Sequence, residues 1–74
     1  MPKIPVIKPK DLIKALKKAG FVTDHISGSH YIMYNEDKTL RASVPYHNKP
    51  LKRKTLTSIL KDAQISTEQI KELL

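Results

Sequence analysis

The sequence contains no cysteine, which excludes a disulfide-stapled scaffold, a cysteine zinc site and a thiol nucleophile. It has no run approaching the ~18 apolar residues of a membrane-spanning helix. Its first residues, Met1-Pro2-Lys3-Ile4-Pro5, lack the apolar stretch of a signal peptide. We therefore expect a cytoplasmic protein that has no membrane partner and folds without covalent cross-links.

The chain is short and strongly basic. Its 74 residues leave room for one thin core, which excludes a dinucleotide-binding domain, a barrel enzyme and a multidomain protein. Lysine and arginine number 14 against 7 aspartates and glutamates, so the formal net charge is +7. A domain with this charge favours nucleic acid or an acidic protein as its partner. The alternative is a lysine-rich surface that only confers solubility.

An extended arm over residues 1–8 is predicted to lead into a first helix over about residues 9–19. Pro9 suits the first turn of a helix, where its missing N–H is not needed. Gly20 suits the left-handed position that follows a helix end. Between them, apolar residues recur at helical spacing. The opposite helix face carries Lys10, Lys14, Lys17 and Lys18.

Two further helices are predicted near the C-terminus. The first covers about residues 55–63, with Thr55 as a plausible N-cap. The second covers about residues 67–73, because Ser66 and Gln69 have the spacing of a capping box.

Three short segments between the helices have the composition or the alternation of strands. They lie at about residues 21–26, 30–34 and 40–44. The links between them are too short for a crossover, which predicts an antiparallel meander. We therefore expect an α+β domain of two layers, in which the helices cover one face of a three-stranded sheet. It spans residues 1–74, with a C-terminal capping helix within 64–74.

Residues 45–54 form a predicted loop that carries four basic residues and no acid. Cations ahead of a helix N-terminus are unfavourable, since the helix dipole there attracts anions. The cluster therefore favours a bound phosphate or an acidic partner, although a solvated turn would also carry such residues. The basic residues are Lys49, Lys52, Arg53 and Lys54.

The three histidines are the natural candidates for acid–base chemistry near neutral pH. His30 stands out because Gly28 and Ser29 precede it at the start of a predicted strand. RNA cleavage needs a base for the 2′-hydroxyl, an acid for the leaving 5′-oxygen, and cations for the phosphoryl oxygens. A structural or solvated histidine is the alternative. The carboxylates are scattered along the chain, so we expect no metal-dependent nuclease and no cofactor.

Five short motifs follow one another along the chain: Asp11-Leu12-Ile13-Lys14, Ala19-Gly20-Phe21, Gly28-Ser29-His30, Val44-Pro45-Tyr46-His47 and Thr55-Leu56-Thr57-Ser58-Ile59-Leu60-Lys61. In this order and at these spacings, over about residues 8–66, the sequence resembles the HicA family of toxin–antitoxin mRNA interferases. The family has a fold like that of double-stranded-RNA-binding domains, which agrees with the predicted order α-β-β-β-α.

The resemblance implies that His30 is the catalytic histidine and that Gly28 and Ser29 form its supporting loop. It also implies a ribosome-independent endoribonuclease that cleaves mRNA, blocks translation and is held inactive by a HicB-type antitoxin. His47 matches a Pro-x-His position of the family, and orienting the basic loop and contacting phosphate are the two roles left open for it. We count it with the basic residues as RNA-binding.

The chain departs from the family pattern at two positions. Lys54 stands where the family often has glycine, which adds charge near the expected groove. Gln64 stands where the family usually has glycine, at the end of the second helix. Two other functions remain open: a non-catalytic RNA-binding module of the same fold, and a basic protein-interaction domain.

Overall fold

The computed structural model describes residues 6–74, so most of the predicted N-terminal arm lies outside the described residues. Six elements follow one another in the predicted order. They are α1 (Pro9–Lys18), β1 (Val22–Ser27), β2 (His30–Tyr34), β3 (Arg41–Pro45), α2 (Arg53–Ala63) and α3 (Thr67–Leu73). The α+β class and the layout of a double-stranded-RNA-binding domain are confirmed, and the strand bounds lie within one residue of those expected.

Helix α1 begins at Pro9 and ends just before Gly20, as these two residues predict. Pro9 occupies its first position, and Gly20 after its end has a φ of 100°, which glycine adopts without steric cost. The Gly20 N–H donates to the Lys17 carbonyl (3.1 Å), and the Phe21 N–H donates to the Leu16 carbonyl (2.9 Å). These two bonds satisfy carbonyls that the helix end leaves free and turn the chain back toward β1.

The three strands form an antiparallel sheet in the order β1-β2-β3. Side chains alternate between the two faces, and cross-strand partners share a face. Tyr31 lies opposite Val44 and Met33 opposite Ala42, and all four belong to or pack against the core formed with the helices. His30 therefore lies on the opposite face, which it shares with Ile32, Tyr34, Arg41, Ser43 and Pro45.

The core lies between this sheet and the three helices. Its fully buried large side chains include Leu12 and Leu16 of α1, Met33 of β2, Leu56 of α2 and Ile70 of α3. Burying a side chain of this size stabilises the fold by about 1.5–3 kcal/mol. Across residues 6–74, every helix is too short or too polar to cross a membrane.

Helix α2 begins at Arg53, two residues before the range expected, and the predicted N-cap at Thr55 is wrong. The N-cap is Lys52, whose side chain makes no capping hydrogen bond. A tertiary contact fixes this start: Leu51 is buried, and its N–H donates to the Ile7 carbonyl (2.8 Å). The loop after β3 is therefore shorter than expected. Arg53 and Lys54, which were predicted to end this loop, lie in the first turn of α2.

The start of α3 is the one expected. The Ser66 hydroxyl accepts from the Gln69 N–H (3.1 Å), and the Gln69 side chain accepts from the Ser66 N–H (3.0 Å). The link from α2 is less favourable, because Gln64 there has a left-handed φ of 55°. That conformation brings a Cβ too close to the following carbonyl.

Replacing Gln64 with glycine should therefore stabilise the protein. Relief of the left-handed strain is worth about 1 kcal/mol, which raises Tm by about 4–8 °C in a domain of this size. Thermal unfolding followed by circular dichroism measures the change. Gln64→Ala is the control, because it removes the same polar group but keeps the Cβ. Equal Tm values for the two variants would contradict the strain.

Candidate active site

The turn between β1 and β2 holds His30 at the end of the sheet. Ser27 and His30 are paired across the two strands, so only Gly28 and Ser29 form the turn between them. Gly28 has a φ of 59°, a left-handed conformation that glycine adopts without steric cost. The Ser29 carbonyl accepts from the Tyr46 N–H (2.7 Å). This bond ties the turn to the segment that follows β3, so His30 is fixed from both neighbouring strands.

His30 is exposed and lies in an open groove between the sheet and α2. Helix α2 packs along β3, which brings its flank beside the sheet face that carries His30. From the sheet, Ser43 and Pro45 line the groove with His30. From the helix come Lys54, Ser58 and Asp62, which lie on one side of α2 because they are four residues apart.

The predicted RNA-binding residues lie in or next to this groove. Lys54 lines it directly. His47, Lys49 and Lys52 line an adjoining pocket, which meets the groove at Pro45 and Thr55. Arg53 lines a further pocket with Lys54 and Ser58. His47 and the four lysine and arginine residues therefore all lie near one end of the groove.

His47 interacts with its own loop. Its Nδ1 accepts from the Lys49 N–H (3.2 Å), which holds the loop backbone in a tight turn. Nearby, the rings of Tyr31 and Tyr46 stack on one another, with centroids 5.0 Å apart. This stack anchors the start of the loop to the edge of the core.

His25 lies on β1 and is paired with the neighbouring acid. Its Nδ1 is 2.7 Å from a carboxylate oxygen of Asp24. That hydrogen bond lowers the pKa of Asp24 from its ordinary value. His25 does not line the groove that contains His30.

Sequence reasoning missed the groove residues Ser43, Ser58 and Asp62. Ser58 and Asp62 follow Lys54 at intervals of four residues, and this spacing could have placed them on the same side of α2. Ser43 gives no such signal, because only the packing of α2 on β3 brings it into the groove. Among residues 6–74, the His, Asp and Glu side chains form no group of three that could hold a metal ion.

A family model described as the HicA toxin of bacterial toxin–antitoxin systems matches residues 9–65, which is well over half of the chain. The chain belongs to the HicA toxin family. The matched span contains the His30 groove and all the surrounding cations, and it stops before α3. Membership of this family implies a cognate antitoxin as partner. A search of curated proteins found no match.

Proposed function

We propose that this HicA-family toxin is a ribosome-independent endoribonuclease that cleaves mRNA, with His30 as its proton-transfer group and without a metal. One observation carries the proposal: the exposed imidazole of His30 and the ammonium of Lys54 line the same open groove. An RNA strand needs open access, and its cleavage needs both a titratable group and a cation.

The reaction follows from these two groups. A base removes the proton from a 2′-hydroxyl, whose oxygen then attacks the adjacent phosphorus atom. The bond to the 5′-oxygen breaks, and that oxygen takes up a proton. The products are a 2′,3′-cyclic phosphate and a 5′-hydroxyl. Imidazole suits this proton transfer near neutral pH, while Lys54 stabilises the charge that builds on the phosphoryl oxygens.

The surrounding cations position the strand. Lys49, Lys52 and Arg53 lie at one end of the groove, where they bind phosphates on either side of the cleaved bond. We propose that a HicB-type antitoxin binds these same cations through an acidic surface. Its binding there would cover His30 and exclude RNA, which accounts for inhibition without any change in the toxin.

Replacing His30 with alanine should abolish RNA cleavage and growth inhibition while leaving the fold intact, because the side chain is exposed. Loss of a general acid–base group costs about 10²–10⁴-fold in rate. Cleavage of a fluorescent single-stranded RNA by the purified variant measures this.

His25→Ala is the matched control, since it removes an exposed histidine from the neighbouring strand and should cleave normally. A His30→Ala variant that cleaves at the wild-type rate would remove the catalytic assignment. A wild-type protein that binds RNA but never cleaves it would favour the non-catalytic RNA-binding module.

Cleavage should persist in EDTA, because the proposed chemistry uses imidazole and ammonium groups and no metal. The 5′ fragment should end in a 2′,3′-cyclic phosphate, and an RNA with a single 2′-deoxy position should resist at that position, since the nucleophile is missing. Mass spectrometry of the fragments identifies the ends. Activity that returns only when Mg²⁺ is added would contradict this mechanism.

The Lys52→Ala, Arg53→Ala double variant should bind RNA more weakly, with a flatter dependence on salt. Each phosphate neutralised on a single strand contributes about −0.7 to the slope of log K against log salt, so the slope should flatten by roughly 1.4. Fluorescence anisotropy at several KCl concentrations measures it.

Lys17→Ala with Lys18→Ala is the matched control, because it removes the same charge from the last turn of α1, away from the groove. Equal slopes for both double variants would mean that only net charge matters. The loop would then be an ordinary solvated surface.

A further inference from the structure

The groove that contains His30 continues into a second depression, lined by Arg41, Ser43 and Asp62. Ser43 and Asp62 line both parts, so the two are one surface with different ends. His30 and Lys54 lie at the first end, and Arg41 lies at the second. The proposed cleavage reaction uses only the first end.

The distance between the ends follows from the two elements that form the walls. Lys54 and Asp62 are eight residues apart on α2, which is about 12 Å along a helix. Arg41 and Pro45 are four residues apart on β3, which is about 14 Å along a strand. For a phosphate held beside His30 and Lys54, as the proposed function has it, the second end lies within reach of a neighbouring nucleotide.

The charges at the second end do not suit a phosphate. The Asp62 carboxylate repels an anion, whereas every other charged or titratable residue lining the groove is a base. Arg41 does not neutralise it directly, since the ion pairs found in residues 6–74 all involve Asp24. A donor and an acceptor thus face one depression without being bonded to each other, an arrangement that favours a neutral group carrying both donors and acceptors.

Asp62 is also poorly placed for the helix itself. It is the last residue but one of α2, where the helix dipole favours cations and disfavours carboxylates. Helix stability therefore does not explain why position 62 is an aspartate, and a role for its carboxylate outside the helix explains it better.

We propose that Arg41, Ser43 and Asp62 form a subsite for a guanine base next to the reacting phosphate. The inference rests on the proposed function for its RNA substrate. Bases in single-stranded RNA are read on their Watson–Crick and Hoogsteen edges. Guanine presents two adjacent donors, N1–H and the N2 amino group, to the two oxygens of one carboxylate, and it presents O6 and N7 as acceptors to arginine.

The other bases fit this pair of residues less well. Uracil has one donor on its Watson–Crick edge. Adenine and cytosine have an amino group beside a ring acceptor, which a carboxylate repels. Only guanine lets Asp62 accept two hydrogen bonds while leaving acceptors for Arg41. The hydroxyl of Ser43, which lines the same depression, donates or accepts as the base requires.

Base analogues test the subsite on the wild-type protein. The probes are short oligouridylates with 2′-O-methyl groups, which cannot be cleaved, carrying one central guanine, hypoxanthine or 7-deazaguanine. Hypoxanthine lacks the N2 amino group, and 7-deazaguanine lacks the N7 acceptor. Fluorescence anisotropy should show that each analogue binds about tenfold more weakly than guanine, the cost of one hydrogen bond to a charged group.

Variants then assign each loss to a residue. Asp62→Ala should bind guanine and hypoxanthine equally, and Arg41→Ala should bind guanine and 7-deazaguanine equally. Glu68→Ala on α3 is the control, because it removes the same charge elsewhere and should keep both preferences. Both variants change exposed side chains, so circular dichroism should show native folds.

Equal binding of guanine and hypoxanthine by the wild-type protein would overturn the subsite, whether or not the protein cleaves RNA. Discrimination that persists in Asp62→Ala would overturn the assignment to this carboxylate. Discrimination without any RNA cleavage would overturn the nuclease proposal and leave the subsite standing. RNA cleavage without discrimination between guanine and hypoxanthine would overturn the subsite and leave the nuclease proposal standing.

Discussion

The packing of α2 along β3 is the contact on which the site depends. Val44 and Ala42 of β3 are fully buried against a core that includes Leu56 and Leu60 of α2. With that face of the helix committed to the core, its flank lies beside the other face of the sheet. His30 would otherwise lie on an open sheet surface; this packing gives it a wall of polar helical residues.

The same contact separates two kinds of side chain on one short helix. Residues of α2 that point into the core are apolar, and those along the flank are Lys54, Ser58 and Asp62. Lys54 lies at the end near His30, whereas the far end holds both the Arg41 guanidinium and the Asp62 carboxylate. The net positive charge is therefore concentrated at the His30 end of the groove, which favours the approach of an anionic group there.

Much of the fold could be predicted from local sequence signals. Pro9 and Gly20 bound α1, and the Ser66–Gln69 capping box starts α3, because these signals act through bonds within a few residues. The start of α2 could not be predicted from Thr55, since it depends on the buried Leu51 and its hydrogen bond to Ile7, a residue distant in the sequence.

The candidate site divides in the same way. His30 and the cations near it are recognisable residue types in a recognisable order, so the sequence alone was enough to predict them as candidates. Ser43 and Asp62 are ordinary residues until β3 and α2 meet, and no local pattern places them together. The sequence therefore predicts which residue types could take part in the chemistry, whereas the shape of the groove depends on how β3 and α2 pack together.

The hydrogen bond from Leu51 to Ile7 has a mechanical consequence. Both residues are buried, so we expect the segment at Ile7 and the basic loop that precedes α2 to open together. Fraying of the chain at Ile7 would release the loop that carries Lys49. The position of Lys49 next to the groove is thus coupled to how firmly the chain is held at Ile7.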